Sequence, residues 1–203
     1  MFITFEGIEG CGKSTQARLL FERIQKEGFP VLLTYEPGDT QVGKKLREIL
    51  LSEKMDSLTE LLLFLADRRE HVISLIKPAL LSQTIVISDR YIYSTLAYQV
   101  YGRGLKKHFV DTLHGEILDN TFPDRIYVLD LEVEKAFERK KSHTFDRIEQ
   151  ESISFHQRVR KGFLELAQEN PNARILDATL PVTHLHDIIW KDIHTLLTAR
   201  RKN

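Results

Sequence analysis

The chain has 203 residues, ample for one domain with a sizeable core and tight for two. Its 29 Lys and Arg balance 29 Asp and Glu, which speaks against a duplex nucleic-acid binder, and a single cysteine, Cys11, excludes an internal disulfide framework. No apolar run approaches the roughly 18 residues of a membrane span, and the chain enters a strand at Phe2 rather than a signal sequence, so a soluble cytoplasmic protein with no membrane partner is expected.

The apolar run Phe2–Phe5 is followed at once by Gly7-Ile8-Glu9-Gly10-Cys11-Gly12-Lys13-Ser14, a G-x-x-x-x-G-K-S pattern. An amphipathic stretch, Thr15 to Lys26, comes next. Strand, glycine loop and helix together are the context in which this pattern holds phosphate. Glycines let several N–H groups turn toward one anion, and the helix N-terminus adds free N–H groups and the positive end of its dipole. Lys13 would then reach the outer phosphates and the Ser14 hydroxyl would bind magnesium. The bland alternative is a glycine-rich turn with no ligand.

Apolar strand-like runs recur at Val31–Thr34, Ile85–Ser88, Arg125–Leu131 and Arg174–Leu176, with helical patterns between them. That alternation predicts an α/β protein with a parallel sheet flanked by helices on both faces, in which ligands sit beyond the C-terminal strand ends. Glu36, at the end of the second strand in Tyr35-Glu36-Pro37-Gly38-Asp39, is either a site carboxylate or a solvated one. A short helix from Gln41 to Leu51 carries Arg47. From Ser57 to Leu81 the pattern is helical, with Ser57 and Glu60 resembling a capping box and a kink expected near Pro78. Phe64 and Arg68, four apart, share a face; they read either as a platform for a planar base or as a core ring and a surface ion-pair partner. Arg69, Glu70 and His71 read as a solvated face.

Asp89, ending the third strand, is the expected second magnesium anchor, or else a strand-end ion pair; Arg90 beside it could fork onto phosphate oxygens. The cluster Ser94-Thr95-Leu96-Ala97-Tyr98-Gln99 lacks the apolar stripe of a surface helix and suggests a cavity wall. A helix from Lys106 to Leu118 precedes the fourth strand. The basic stretch from Arg139 to Arg147, with Lys140, Lys141 and His143, is either a lid that closes cations over phosphates or a solvated helix end. Helices are expected from Glu149 to Asn170 and from Thr183 to Ala199, with Asp177-Ala178-Thr179 on the ligand side of the sheet.

Phe-Glu-Gly-Ile-Glu-Gly at 5–10, Glu-Pro-Gly at 36–38, Phe64-Leu-Ala-Asp-Arg68, Asp89-Arg-Tyr, Ala97-Tyr-Gln99 and Asp146-Arg-Ile-Glu-Gln-Glu-Ser152, in this order, resemble the bacterial thymidylate kinase family over nearly the whole chain. The resemblance implies a three-layer P-loop NTPase fold: one domain over residues 1–203, a five-stranded parallel sheet, and a short lid at about 139–149. It implies transfer of the ATP γ-phosphate to dTMP with Mg²⁺, by a homodimer that binds no nucleic acid. Gly7, Ile8, Glu9, Gly10, Cys11, Gly12, Lys13, Ser14 and Thr15 would bind ATP phosphates, and Ser14 and Asp89 the metal. Glu9 would also meet the dTMP 3′-hydroxyl, with Glu36 and Arg47 lining the acceptor site. Phe64 would stack on thymine and Arg68 would donate to its exocyclic oxygen. Thr95 and Gln99 would line the base edge, while Tyr98 would crowd a ribose 2′-hydroxyl. Arg90, Lys13 and the lid cations Arg139, Lys141 and Arg147 would serve catalysis. Cys11 stands where some members place an Arg, which resembles the subclass whose lid supplies the basic residues.

Three positions depart from the family pattern. Tyr35 replaces the usual Arg before Glu-Pro-Gly, Asp39 the usual second Gly after it, and the lid carries Lys and His where Arg is common. The same scaffold also suits a kinase for another nucleotide, or a nucleotide-binding switch without catalysis.

Overall fold

The structure, a computed structural model, describes residues 1–140 and 146–200, with Lys140, Ala199 and Arg200 described by backbone alone. The elements run β1 (Phe2–Glu6), α1 (Lys13–Lys26), β2 (Val31–Tyr35), α2 (Gln41–Ser52), α3 (Ser57–His71), α4 (Lys77–Leu81), β3 (Ile85–Asp89), α5 (Ile92–Thr95), α6 (Lys107–Ile117), β4 (Arg125–Asp130), α7 (Val133–Lys140), α8 (Ile153–Gln168), β5 (Ala173–Asp177) and α9 (Val182–Arg200). The five strands form one sheet in the order β2-β3-β1-β4-β5, and every pairing is parallel. The central strands β1, β3 and β4 are buried almost throughout, which is why they read as continuous apolar runs rather than alternating ones.

Strand pleating divides the core by face. Ile3, Phe5, Ile85 and Ile87 join Ala17, Leu20 and Ile24 of α1 and Leu185, Ile189 and Ile193 of α9. Phe2 and Val86 instead meet Val72, Ile76, Tyr91 and Leu118. With helices on both faces, the polar ends of the sheet are where ligands can reach it. Glu6, Glu36, Arg90 and Ala178 all stand at or just past a strand C-terminus.

Two local expectations are corrected and a third is located more closely. The cap of α3 is Asp56, whose carboxylate accepts from the Leu58 and Thr59 N–H groups at 2.9 and 3.1 Å; Ser57 is the first helical residue and Glu60 is buried elsewhere. The helical stretch ending at Leu81 is interrupted near Pro78 by a wide π turn over Val72–Ile76, which ends two residues before the proline, and Pro78 sits in the first turn of α4. A proline clashes with the carbonyl four residues back, here Ser74, so the ladder is rearranged upstream of the ring. Helix α8 starts at Ile153, capped by the Ser152 hydroxyl, and not at Glu149. The Asp146 carboxylate takes the N–H groups of Ile148 and Glu149, both at 2.9 Å, and folds 146–150 into a turn instead. The Glu36–Pro37 peptide is cis.

A second π turn, Leu96–Gly102, continues α5 and packs along α8. The approach is close at Gly162, where a Cβ would stand 2.6 Å from the Tyr101 ring. Gly162→Ala should therefore destabilise the fold by about 1–2 kcal/mol, the cost of overpacking exceeding the gain in helix propensity. Thermal unfolding of the variant checks this: a melting temperature equal to or above that of the parent chain contradicts the packing.

Candidate active site on either side of the phosphate loop

Residues 7–12 leave β1 and curl into α1, with Gly7, Gly10 and Gly12 at φ of +135°, +75° and +99°. Gly10 has a second reason to lack a side chain, since a Cβ there would lie 2.5 Å from the Ala136 carbonyl oxygen of α7. Lys13, the first residue of α1, folds back over the loop and donates to the Ile8 carbonyl at 2.9 Å, with the Cys11 Sγ 3.9 Å away. Burial pushes the Cys11 thiol up. Ser14 donates to Asp89 Oδ2 at the end of β3, bringing the two expected magnesium anchors together. Among the described residues, Asp89 Oδ1 is buried with no hydrogen-bond partner. A carboxylate oxygen left over beside a hydroxyl suits a hard cation held largely by phosphate and water.

On one side of the loop lies a cavity of about 350 Å³. The structure brings together on its wall Glu9, Lys13, Ser14, Glu36, Arg47, Phe64, Arg68, Asp89, Arg90, Thr95, Tyr98 and Gln99, along with Tyr35. Arg90 adopts a left-handed φ of 77°, a conformation that a non-glycine residue holds at a cost. Its guanidinium donates to the Gly7 carbonyl at 3.1 Å and to Ser94 Oγ at 2.9 Å, pairs with Glu9, and lies 5.4 Å over the Tyr98 ring. The Arg90 loop is held from below by Glu6, which accepts from the Tyr91 and Tyr93 N–H groups and from Ser94 Oγ at 2.9, 3.2 and 2.7 Å. Burial raises the Glu6 pKa to about 7, against the Ser94 bond and the Arg90 charge. The Tyr98 side chain is buried, and burial pushes its pKa up.

Arg68 is 2% exposed and makes four hydrogen bonds and an ion pair within the protein. Nε and Nη2 reach Glu36 Oε2 at 2.8 and 2.7 Å, Nη2 also the Tyr91 carbonyl at 2.8 Å, and Nη1 both Thr95 Oγ1 and His114 Nε2 at 2.7 and 2.9 Å. Burial and then the Arg68 charge lower the His114 pKa to about 3, leaving a neutral ring that can accept. Burial alone would raise Glu36, but the Arg68 charge and the His71 bond outweigh it and hold the carboxyl below its ordinary range. Burial, then the Glu36 charge, push the Asp67 carboxyl up to about 7.

His71, read from the sequence as solvated, is 1% exposed. Its Nδ1 meets Glu36 Oε1 at 2.9 Å and its Nε2 meets Thr34 Oγ1 at 2.6 Å. The usable signal was the spacing on α3. Glu60, Phe64, Asp67, Arg68 and His71 fall at i, i+4, i+7, i+8 and i+11, a polar stripe facing inward. His114 offered no comparable signal as a site support.

On the other side of the loop a cavity of about 510 Å³ is lined by Gly10, Cys11, Gly12, Thr15, Arg139 and the 178–182 segment. Arg139 donates to the Ala178 carbonyl at 2.9 Å, and Gln16 to the Val182 carbonyl at 2.9 Å. Ile8 is buried beneath the loop and lines neither cavity. Arg147, expected over the phosphates, also lines neither: it pairs with Glu60 at 2.7 Å and donates to the Leu50 carbonyl at 3.0 and 2.9 Å. Lys141 and the rest of the expected lid from 141 to 145 lie outside the described residues.

A family model described as thymidylate kinase matches residues 5–189. The thymidylate kinase of Halothermothrix orenii is 44% identical over 199 residues, covering 95% of this chain and 96% of that protein. That of Fervidobacterium nodosum is 43% identical over 197 residues, covering 97% and 100%. The crystal structure of thymidylate kinase from Ehrlichia chaffeensis superposes with a TM-score of 0.78 at 37% identity, over 95% of this chain and 98% of that one. With a parallel sheet of matching fold, a phosphate loop and full-length similarity at this level, the chain belongs to the thymidylate kinase family.

Proposed function

We propose that this protein transfers the γ-phosphate of ATP to dTMP, giving dTDP and ADP. The observation that carries the reading is one phosphate loop between two cavities, only one of which holds Phe64, Arg68, Thr95, Tyr98 and Gln99. Two nucleotides can then meet phosphate to phosphate across Lys13 and Ser14. The cavity with Arg139 and the 178–182 segment takes the donor; the cavity with Phe64 takes the acceptor.

The chemical problem is repulsion between two anions, which positioning and charge cancellation solve. Loop N–H groups and the α1 N-terminus receive the donor phosphates. Lys13 exchanges its bond to the Ile8 carbonyl for the outer phosphates. Arg90, fixed by Gly7, Ser94 and Glu9, presents its remaining edge to the acceptor phosphate. A phosphate oxygen is a competent nucleophile, so neither a covalent intermediate nor a strong base is needed. Ser14 and Asp89 would hold magnesium, which supplies further cancellation of charge on the phosphate oxygens. Phe64 would stack on the base and Glu9 would meet the 3′-hydroxyl. Asp39, a possible repulsive charge, accepts from Thr34 at 2.5 Å and does not line the acceptor cavity. Arg47 lies 5.8 Å over the Tyr35 ring, so Tyr35 stacks under a cation where its relatives' pattern supplies one. We place the protein in the cytoplasm, where its substrates are; among the described residues no helix is long and apolar enough to cross a membrane.

An ADP-release assay with ATP and magnesium across dTMP, dUMP, UMP, dCMP, dGMP and thymidine should show dTMP as the preferred acceptor. Preference for another monophosphate would overturn the base assignment. Lys13→Ala should lower kcat on the order of 10²–10³-fold without unfolding the protein; near-parental kcat would contradict the role of the loop. In Tyr98→Ala the kcat/KM ratio of dUMP over UMP should shrink roughly tenfold, and an unchanged ratio would remove Tyr98 from sugar selection. Leu58, Leu62, Ile73 and Phe109 on α3, the turn after it and α6 are all at least 40% exposed, and we propose that they meet a second copy of the chain. Sedimentation should give a dimer that Leu62→Glu dissociates, whereas a monomeric parent chain refutes the assembly.

A further inference from the structure

Glu60 lies inside the protein, 1% exposed, and is loaded from every side. Its Oε1 accepts from Gln99 Nε2 and Arg103 Nε, both at 3.0 Å. Its Oε2 accepts from Arg103 Nη2 at 3.1 Å and pairs with Arg147 Nη2 at 2.7 Å. Burial alone would raise the carboxyl, but the bonds from Arg103 and Gln99 outweigh it and hold Glu60 below the ordinary range. It is therefore an anion that can only accept. Gln99 is equally buried and lines the acceptor cavity. A carboxamide has one donating and one accepting end. With its amine bound to a carboxylate, its Oε1 is the end left for the cavity, and no hydrogen bond to that oxygen occurs among the described residues.

We propose that Glu60 is a positioning residue for acceptor choice: by fixing the carboxamide of Gln99, it presents an acceptor to the base and selects pyrimidines that carry a hydrogen on N3. Thymine and uracil have an N3–H donor, whereas cytosine offers a lone pair at the same place. Two acceptors facing each other leave one buried group unpaired, the situation in which polar sites discriminate most strongly. The inference deepens the acceptor-cavity reading above and rests on it. It assigns Glu60 no contact with substrate. Arg103 and Arg147 supply the cationic side of the same carboxylate, so its charge, and with it the sense of the Gln99 amide, is held from α3, from the residue after the second π turn and from the turn at 146–150.

The test compares dTMP with 5-methyl-dCMP, which keeps the methyl group and changes the base edge. In Glu60→Gln the new carboxamide can give its oxygen to the arginines and its amine to Gln99 Oε1, turning the Gln99 amine toward the base. The ratio of kcat/KM for dTMP over 5-methyl-dCMP should fall at least about tenfold, with the KM for ATP unchanged. Glu60→Asp, which keeps an acceptor-only group, should retain the ratio even if the rate drops. A ratio unchanged in Glu60→Gln, while Gln99→Leu raises the KM for dTMP, overturns the role of Glu60 and leaves the cavity assignment standing. If Gln99→Leu leaves the KM for dTMP unchanged, the cavity assignment fails and the inference falls with it. Should Glu60→Gln not fold, the unsubstituted protein decides by NMR with ¹⁵N-glutamine. The Gln99 side-chain amide protons should keep their shift and their protection from exchange when dTMP saturates. A large shift on dTMP but not on ATP would place the amine against the base and overturn the proposal.

Discussion

A buried guanidinium fixes the cavity that holds Phe64 and Gln99. Arg68 ties α3 to the end of β2 through Glu36, to the segment after β3 through the Tyr91 carbonyl, to α5 through Thr95 and to α6 through His114. Burying such a charge carries a desolvation cost that only complete hydrogen bonding offsets. The arrangement therefore has little freedom: remove one partner and another buried charge is stranded, at a cost of about 3–5 kcal/mol. For the same reason the residue is a poor target for truncation. A small side chain at 68 would leave Glu36 without its main counter-charge, and the lesion would reach the fold as well as the base.

Buried ion networks of this kind pre-organise a site. Glu6 sets the loop that carries Arg90, Glu36 sets Arg68, and Glu60 gathers Gln99, Arg103 and Arg147. Each acid supports a residue that faces the cavity with Phe64, and Glu36 lines it as well. The other side of the phosphate loop is built differently. There the walls are backbone and small residues of the phosphate loop and the 178–182 segment, with Arg139 and Gln16 reaching carbonyls rather than acids. A reaction that must distinguish one base among several at the acceptor, while gripping phosphates at the donor, calls for this division: side-chain networks where shape and hydrogen bonding are read, backbone N–H groups where charge is held.

The parallel sheet and the phosphate loop were legible in the sequence because their signals are local and periodic. All five strands stand within a residue or two of the expected runs. What escaped was set by tertiary context. The second π turn breaks the 3.6-residue period over Leu96–Gly102, so the stretch with Tyr98 and Gln99 could be read as a wall but not as a helix. His71 read as surface and Glu60 as part of a capping box, and only partners distant in sequence, Thr34 and Glu36 for one and Gln99, Arg103 and Arg147 for the other, make their burial tolerable. Arg147 escaped in the opposite sense: a cation beside a basic stretch reads as mobile, yet its bonds to Glu60 and Leu50 hold it to α3 and α2.

Asp39 shows how a local departure from a family pattern is absorbed. Read alone, it sets a negative charge beside the place of an anionic substrate. In the fold it ends a chain of contacts: Glu36 Oε1 to His71 Nδ1 at 2.9 Å, His71 Nε2 to Thr34 Oγ1 at 2.6 Å, and Thr34 Oγ1 to Asp39 Oδ2 at 2.5 Å. The threonine hydroxyl owns one hydrogen and meets two partners, so it can donate to only one of them and must accept from the other. Here the hydrogen of Thr34 goes to Asp39 Oδ2. Asp39 is engaged as an acceptor by Thr34 and does not line the cavity with Tyr35 and Arg47. The carboxylate that a sequence comparison places against the substrate is thus turned into the network behind Glu36, and the cavity wall at this point is left to Tyr35 and Arg47.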